Sequence, residues 1–108
     1  MGRREMREHI FKLLFIGQFN TPQEMPDQLG YYFESLEQLQ ESEQKYMQEK
    51  YEKVVEKIPE IDQILSEASR GWKTSRMNKV DLNVLRLAVY EVRFDEDVPV
   101  GVAINEAV

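Results

Sequence analysis

Cysteine is absent from the 108 residues, which excludes disulfide frameworks, thiolate nucleophiles and cysteine-based metal sites. Histidine is nearly absent. His9 is the single one, with no second imidazole four residues away to share a helical face and hold a metal. Glycine and proline number only 5 and 4, too few for a turn-rich sheet protein, and a hydrophobic content of 42% is too high for a disordered chain. Long hydrophobic runs are missing too: the first apolar stretch is broken by Lys12 and Gln18, and "MGRREMREHI" mixes arginine with glutamate, so neither a membrane span nor a secretory leader is expected. There is no glycine-rich phosphate cradle, no G-x-S-x-G elbow and no H-E-x-x-H or E-x-x-H helix, so no enzyme activity, cofactor or metal is expected. These absences leave a single all-α domain, suited to a reducing cytoplasm.

The net charge of -6 argues against indiscriminate nucleic-acid binding, which depends on a broad positive field. Its distribution is uneven. Residues 1–12 carry Arg3, Arg4, Arg7 and Lys12 against Glu5 and Glu8, a net +2; residues 70–80 carry Arg70, Lys73, Arg76 and Lys79 with no acid, a net +4; residues 23–69 hold 12 acids against 4 bases. Two basic patches and one acidic belt imply two kinds of contact surface.

Apolar periodicity places a first helix over 3–19, with Met6, Ile10, Leu13, Leu14 and Gly17 gathered in one sector. Phe11 and Phe15 fall outside it, in line with Arg4. The stretch "NTPQEMPDQ" breaks the chain, and a second helix is expected from about Leu29, striped by Tyr32, Phe33, Leu36 and Leu39. A third runs through Met47, Tyr51, Val54, Val55 and Ile58, where Pro59 is expected to close it and open a fourth presenting Ile61, Ile64, Leu65 and Ala68. Gly71 is the expected stop, with Trp72 packed over the junction. In "DLNVLRLAVYEVRF", Leu82, Val84, Leu85, Leu87, Ala88, Val89, Tyr90 and Val92 occupy most of the helical wheel, leaving Asn83, Arg86, Glu91 and Arg93 as polar exceptions. Such a helix should be central, and Asp81 is placed to cap it. Another apolar helix starts after Pro99 and reaches only about two turns by Val108, so the C-terminus reads as incomplete. The expected subdomains are about 1–58 and 59–108.

The most pointed feature is "GRREMREHIFKLLF". Arg3 and Arg7 face one way, and Arg4, Phe11 and Phe15 form an adjoining stripe. Guanidinium groups fork onto phosphates and an aromatic ring stacks an unpaired base, so this helix is a candidate single-stranded RNA platform. The competing reading is that the phenylalanines pack against another helix and the arginines solvate the first turn. Lys73, Arg76 and Lys79 could extend a phosphate-contacting surface or belong to a solvated loop. Carboxylates spaced as Glu49, Glu52 and Glu56, or Asp95, Glu96 and Asp97, lie on solvated faces or a connection, without the burial that proton transfer needs.

The segment "LNVLRLAVYEVRFDEDVPVGVAINEAV" closely resembles the bacterial NusB family of transcription antitermination factors, through its Leu-Arg, Tyr-Glu, Val-Pro and Val-Ala-Ile-Asn-Glu-Ala series. "RREMREHIFKLLF" is similar to that family's arginine-bearing first helix, and Trp72 and Asp81 sit as expected. The resemblance implies a compact helical bundle of two small subdomains around an apolar central helix. It further implies binding of the boxA element of ribosomal RNA leader transcripts together with a small ribosomal protein, the NusE subunit, within the RNA polymerase antitermination complex. Arg3, Arg4 and Arg7 match the family's RNA-contacting arginines. Phe15 matches an aromatic that is tyrosine in many relatives, which keeps stacking and loses a hydroxyl. Glu5 stands where a third consecutive arginine can occur, thinning the positive patch, and Asp81 matches an acid at the ribosomal-protein interface. Relatives differ in whether they form a homodimer. The alternative function is a helical protein-interaction scaffold without direct RNA contact.

Overall fold

The apolar rhythm becomes four helices among the described residues, 1–68 and 78–95, of the computed structural model. They are α1 (Arg3–Gly17), α2 (Met25–Glu34), α3 (Glu41–Ala68) and α4 (Lys79–Arg93), with no strand among the described residues. Two compact units divide the chain, Met1–Lys53 and Val54–Val108. The expected stop at Gly71, the packing of Trp72 and the helix after Pro99 lie outside the described residues.

In the first unit, α1 buries Ile10, Leu13 and Leu14, one turn-spaced stripe, with Leu13 fully enclosed. A side chain of that size contributes about 1.5–3 kcal/mol when removed from water. The helix closes two residues before the expected end: the Gln18 and Phe19 amides donate to the Phe15 and Ile16 carbonyls at 3.2 and 3.0 Å, a tightened 3₁₀-type finish. Gly17 lies at a close approach, since a Cβ there would sit 3.1 Å from the Tyr51 hydroxyl oxygen of α3 and press that side chain aside by a few tenths of an ångström.

α2 starts four residues before the expected Leu29, because the residues read as a break form a starting signal. The Thr21 amide donates to Glu24 Oε1 at 2.9 Å and the Glu24 amide donates to Thr21 Oγ1 at 3.3 Å, the reciprocal pattern of a capping box. Pro26 then falls in the first turn, where a missing N–H costs nothing. Met25, Leu29 and Phe33 form the buried stripe. The helix ends at Glu34, so Leu36 and Leu39 lie in the connection rather than on the expected helical face. Gln38 in that connection takes a left-handed φ of 57°. His9 of α1 and Tyr32 of α2 are joined by a 2.6 Å hydrogen bond between Nδ1 and the hydroxyl, with the rings edge to face.

α3 corrects the reading of Pro59: the third and fourth expected helices are one, Glu41–Ala68, with Pro59 inside it. Proline removes an intrahelical hydrogen bond and crowds the carbonyl four residues back, at a cost of about 3 kcal/mol. The helix survives because the buried stripe of Met47, Tyr51, Val54, Ile61 and Leu65 keeps one register through the proline. Pro59 itself is exposed, and Val55, whose carbonyl it deprives of a donor, is 41% exposed and open to water.

In the second unit α4 is capped by Asn78 and not, as expected, by Asp81. Asn78 Oδ1 accepts from the Val80 amide at 2.7 Å and from the Asp81 amide at 3.4 Å. The buried face of α4 is Leu82, Asn83, Arg86, Leu87, Tyr90 and Glu91, so three of the four residues read as polar exceptions lie inside, while Val80 and Val92 are exposed. Burial of these polar groups is met by partners. Arg86 donates from Nε and Nη2 to both carboxylate oxygens of Asp62 on α3, at 2.8 and 2.7 Å. Asn83 donates to the Lys79 carbonyl at 2.8 Å and accepts from Arg86 Nη1 at 3.4 Å.

Candidate functional site

The residues expected to contact RNA are all on α1, which begins directly after an extended Gly2 that carries no capping side chain. Arg3 and Arg4 are exposed in the first turn and Arg7 is half-buried. At 100° per residue, Arg3 and Arg7 lie on one side of the helix, while Arg4, Phe11 and Phe15 form the adjoining stripe. Phe11 and Phe15 are half-buried, consistent with rings that support the helix on one side and present the other to solvent. The structure thus brings the three arginines and Phe15 onto one element. Glu5 and Glu8 are exposed on the same helix and dilute its positive charge, as Lys12, also exposed, adds to it.

One residue that the sequence reading missed extends this surface. Phe19, just beyond α1, is 59% exposed and its ring packs on Phe15, with centroids 5.1 Å apart and planes inclined by 69°. The four-residue step from Phe11 to Phe15 to Phe19 within the expected helix is the signal for it in the sequence.

Asp81 belongs to the second unit. It is exposed at the third position of α4, with its amide engaged by Asn78 and its side chain on the surface. Lys79 is exposed at the start of the same helix, whereas Lys73 and Arg76 lie outside the described residues. Glu49, Glu52 and Glu56 are exposed on α3. The depressed carboxyls are elsewhere. Glu24 is held below its ordinary range by the Thr21 amide and hydroxyl, and Glu43 by the Met1 ammonium and the Gln40 amide. The phenols of Tyr32 and Tyr51 are pushed up by burial. The two carboxyls are held by contacts that fix local structure. Among the described residues no group of three or more His, Asp or Glu side chains is placed to hold a metal ion, and no helix is long and apolar enough to cross a membrane.

Comparison with known proteins converges on one group. The family model described as the NusB family matches residues 4–108. The transcription antitermination protein NusB of Lachnoclostridium phytofermentans is 53% identical over 108 residues, all of this chain and 82% of the relative. Its namesake from Agathobacter rectalis is 43% identical with the same coverage. A solved structure of T. maritima NusB superposes with a TM-score of 0.82 at 32% identity, covering 99% of this chain and 74% of that one.

Proposed function

The chain belongs to the NusB family of transcription antitermination factors, and on that premise we propose that it binds the boxA element of ribosomal RNA leader transcripts. It does so together with a small ribosomal protein, the NusE subunit, in the RNA polymerase antitermination complex, and it acts by binding rather than by catalysis.

The observation that carries this reading is the arrangement on α1. Arg3 and Arg4 are exposed at the first turn, Arg7 follows one turn on, and Phe15 presents a ring two turns further along. Guanidinium groups recognise phosphate oxygens through paired donors and keep their charge at every physiological pH. The N-terminal end of a helix also carries partial positive charge, which favours an anion near the Arg3 and Arg4 turn. The ring then takes an unpaired base, as single-stranded RNA recognition commonly does. Because the chain as a whole is acidic, such a local patch binds weakly by charge alone, and selectivity comes from the fit of bases and from the protein partner.

Asp81 is the proposed contact with the ribosomal protein. An exposed carboxylate beside the half-exposed valines of α4 steers a basic partner and then offers it apolar surface. Since Asn78 rather than Asp81 caps the helix, the Asp81 side chain is not committed to that task.

The test is charge reversal. Arg3→Glu, Arg4→Glu and Arg7→Glu together should abolish binding to single-stranded boxA RNA while leaving helical circular dichroism unchanged. Undiminished RNA binding by that variant would exclude α1 as the platform, and absence of RNA binding by the parent protein would favour a scaffold that touches only proteins.

A further inference from the structure

Phe19 leaves 59% of a large aromatic surface in water at the end of α1, the helix that buries Ile10, Leu13 and Leu14. Its position is fixed rather than frayed. The Phe19 amide donates to the Ile16 carbonyl at 3.0 Å, and the Asn20 side chain donates to that same carbonyl at 2.9 Å. The ring leans on Phe15 at 5.1 Å with the planes 69° apart. We propose that Phe19 is a second base-stacking residue, forming with Phe15 a corner that holds one unpaired base of the bound RNA strand. This inference rests on the reading of α1 as an RNA platform and names a further residue of that site.

Three observations favour a nucleobase as the occupant. Two nearly perpendicular rings form a corner in which a base laid flat on one ring meets the other by its edge, so a single base gains two aromatic contacts. The corner continues the Arg4, Phe11 and Phe15 stripe toward the C-terminal end of α1. A strand whose phosphates sit at the arginines therefore runs its bases over Phe15 and then Phe19. Exposed Lys12 lies three residues before Phe15 and seven before Phe19, on the same side of the helix, where it can meet a phosphate next to the held base. Glu5 and Glu8 share that side, so it has no net positive charge. Attraction there comes from the rings, and the contribution of Phe19 should be nearly independent of salt. A backbone already set in the bound arrangement lowers the ordering cost of capture.

The experiment is fluorescence anisotropy with the full chain and a labelled single-stranded boxA RNA, alongside copies of that RNA carrying one abasic nucleotide at successive positions. Phe19→Ala and Phe19→Leu should each weaken binding about 5- to 30-fold, the leucine variant failing because it keeps bulk and loses the ring. Phe19→Trp should bind at least as well as the parent. The slope of log affinity against log salt should stay unchanged in all three, whereas Arg4→Ala should flatten it. One abasic position should cost the parent protein a similar factor and cost Phe19→Ala almost nothing. Parent-like affinity of both Phe19→Ala and Phe19→Leu, beside lost binding on arginine reversal, would overturn the role of Phe19 and leave the RNA platform standing. A loss confined to binding of the ribosomal protein would assign Phe19 to that contact and equally overturn it. Failure of the parent protein to bind the RNA at all would remove both readings together.

Discussion

Arg86 on α4 grips Asp62 on α3 through two parallel hydrogen bonds of 2.8 and 2.7 Å, with 10% of the arginine side chain and 26% of the aspartate exposed. Paired, the two ions satisfy one another; separated, the guanidinium is left in a nearly dry site. Asp62→Ala should therefore destabilise the protein by about 2–4 kcal/mol, somewhat below the usual cost of breaking a buried pair because water reaches the Asp62 side. The double variant Asp62→Leu with Arg86→Met should recover most of that loss. Urea unfolding with an unchanged m-value checks both, and equal loss in the single and double variants would contradict the pairing argument.

Pro59 provides a test of α3 as one helix. Pro59→Ala restores the missing N–H and relieves crowding at the Val55 carbonyl, against a smaller loss from a freer unfolded chain. A net gain of about 1–2 kcal/mol in urea is expected. If the chain instead broke into two helices at Pro59, with the ring at a first turn, the same change would bring no such gain.

How much of this was legible follows from which signals are local. The buried stripes of α1 and of α3 on both sides of Pro59 appear in the sequence as turn-spaced apolar residues, and the family resemblance rests on "RREMREHIFKLLF" and the second half of the chain. Proline ordinarily ends a helix, but Tyr51, Val54, Ile61 and Leu65 stay in register across Pro59, and their burial outweighs that local preference. "TPQE" was read as a break since its prolines draw attention away from the Thr21–Glu24 capping box. On α4 the polar residues are inside because Asp62, distant in sequence, neutralises Arg86; no periodicity reveals a partner 24 residues away. Of the candidate site, the arginines and Phe15 are legible, whereas the exposure of Phe19 depends on packing that helical spacing does not report.

The cap of α4 gives a pair of opposite outcomes. Asn78→Ala removes the acceptor for two first-turn amides and should cost about 1 kcal/mol, seen as a lower thermal midpoint. Asp81→Asn should change stability by less than about 0.5 kcal/mol, as expected for a surface residue without a capping role. The same Asp81→Asn change should weaken binding of the small ribosomal protein. The reverse pattern would return the capping role to Asp81.

Acid should loosen the turn before α2. Glu24 has its carboxyl held below the ordinary value of 4.5 by hydrogen bonds from the Thr21 amide and hydroxyl. A depressed carboxylate contributes stability that is fully present above its unfolded value and is lost as pH falls through the folded one. Glu24→Gln should therefore lower the urea midpoint at neutral pH and converge with the parent below that range. Parallel curves at all pH values would contradict the assignment.

The central claim is that α1 holds single-stranded RNA by its arginines and aromatic rings. It is tested most directly by titrating the protein with boxA RNA and with a scrambled RNA of equal length at several salt concentrations, with and without the small ribosomal protein. The account predicts preference for boxA, enhancement by the ribosomal protein, and affinity that falls with salt by a slope reflecting the few phosphates that Arg3, Arg4 and Arg7 reach. Equal affinity for boxA and scrambled RNA, unaffected by the partner, would contradict it.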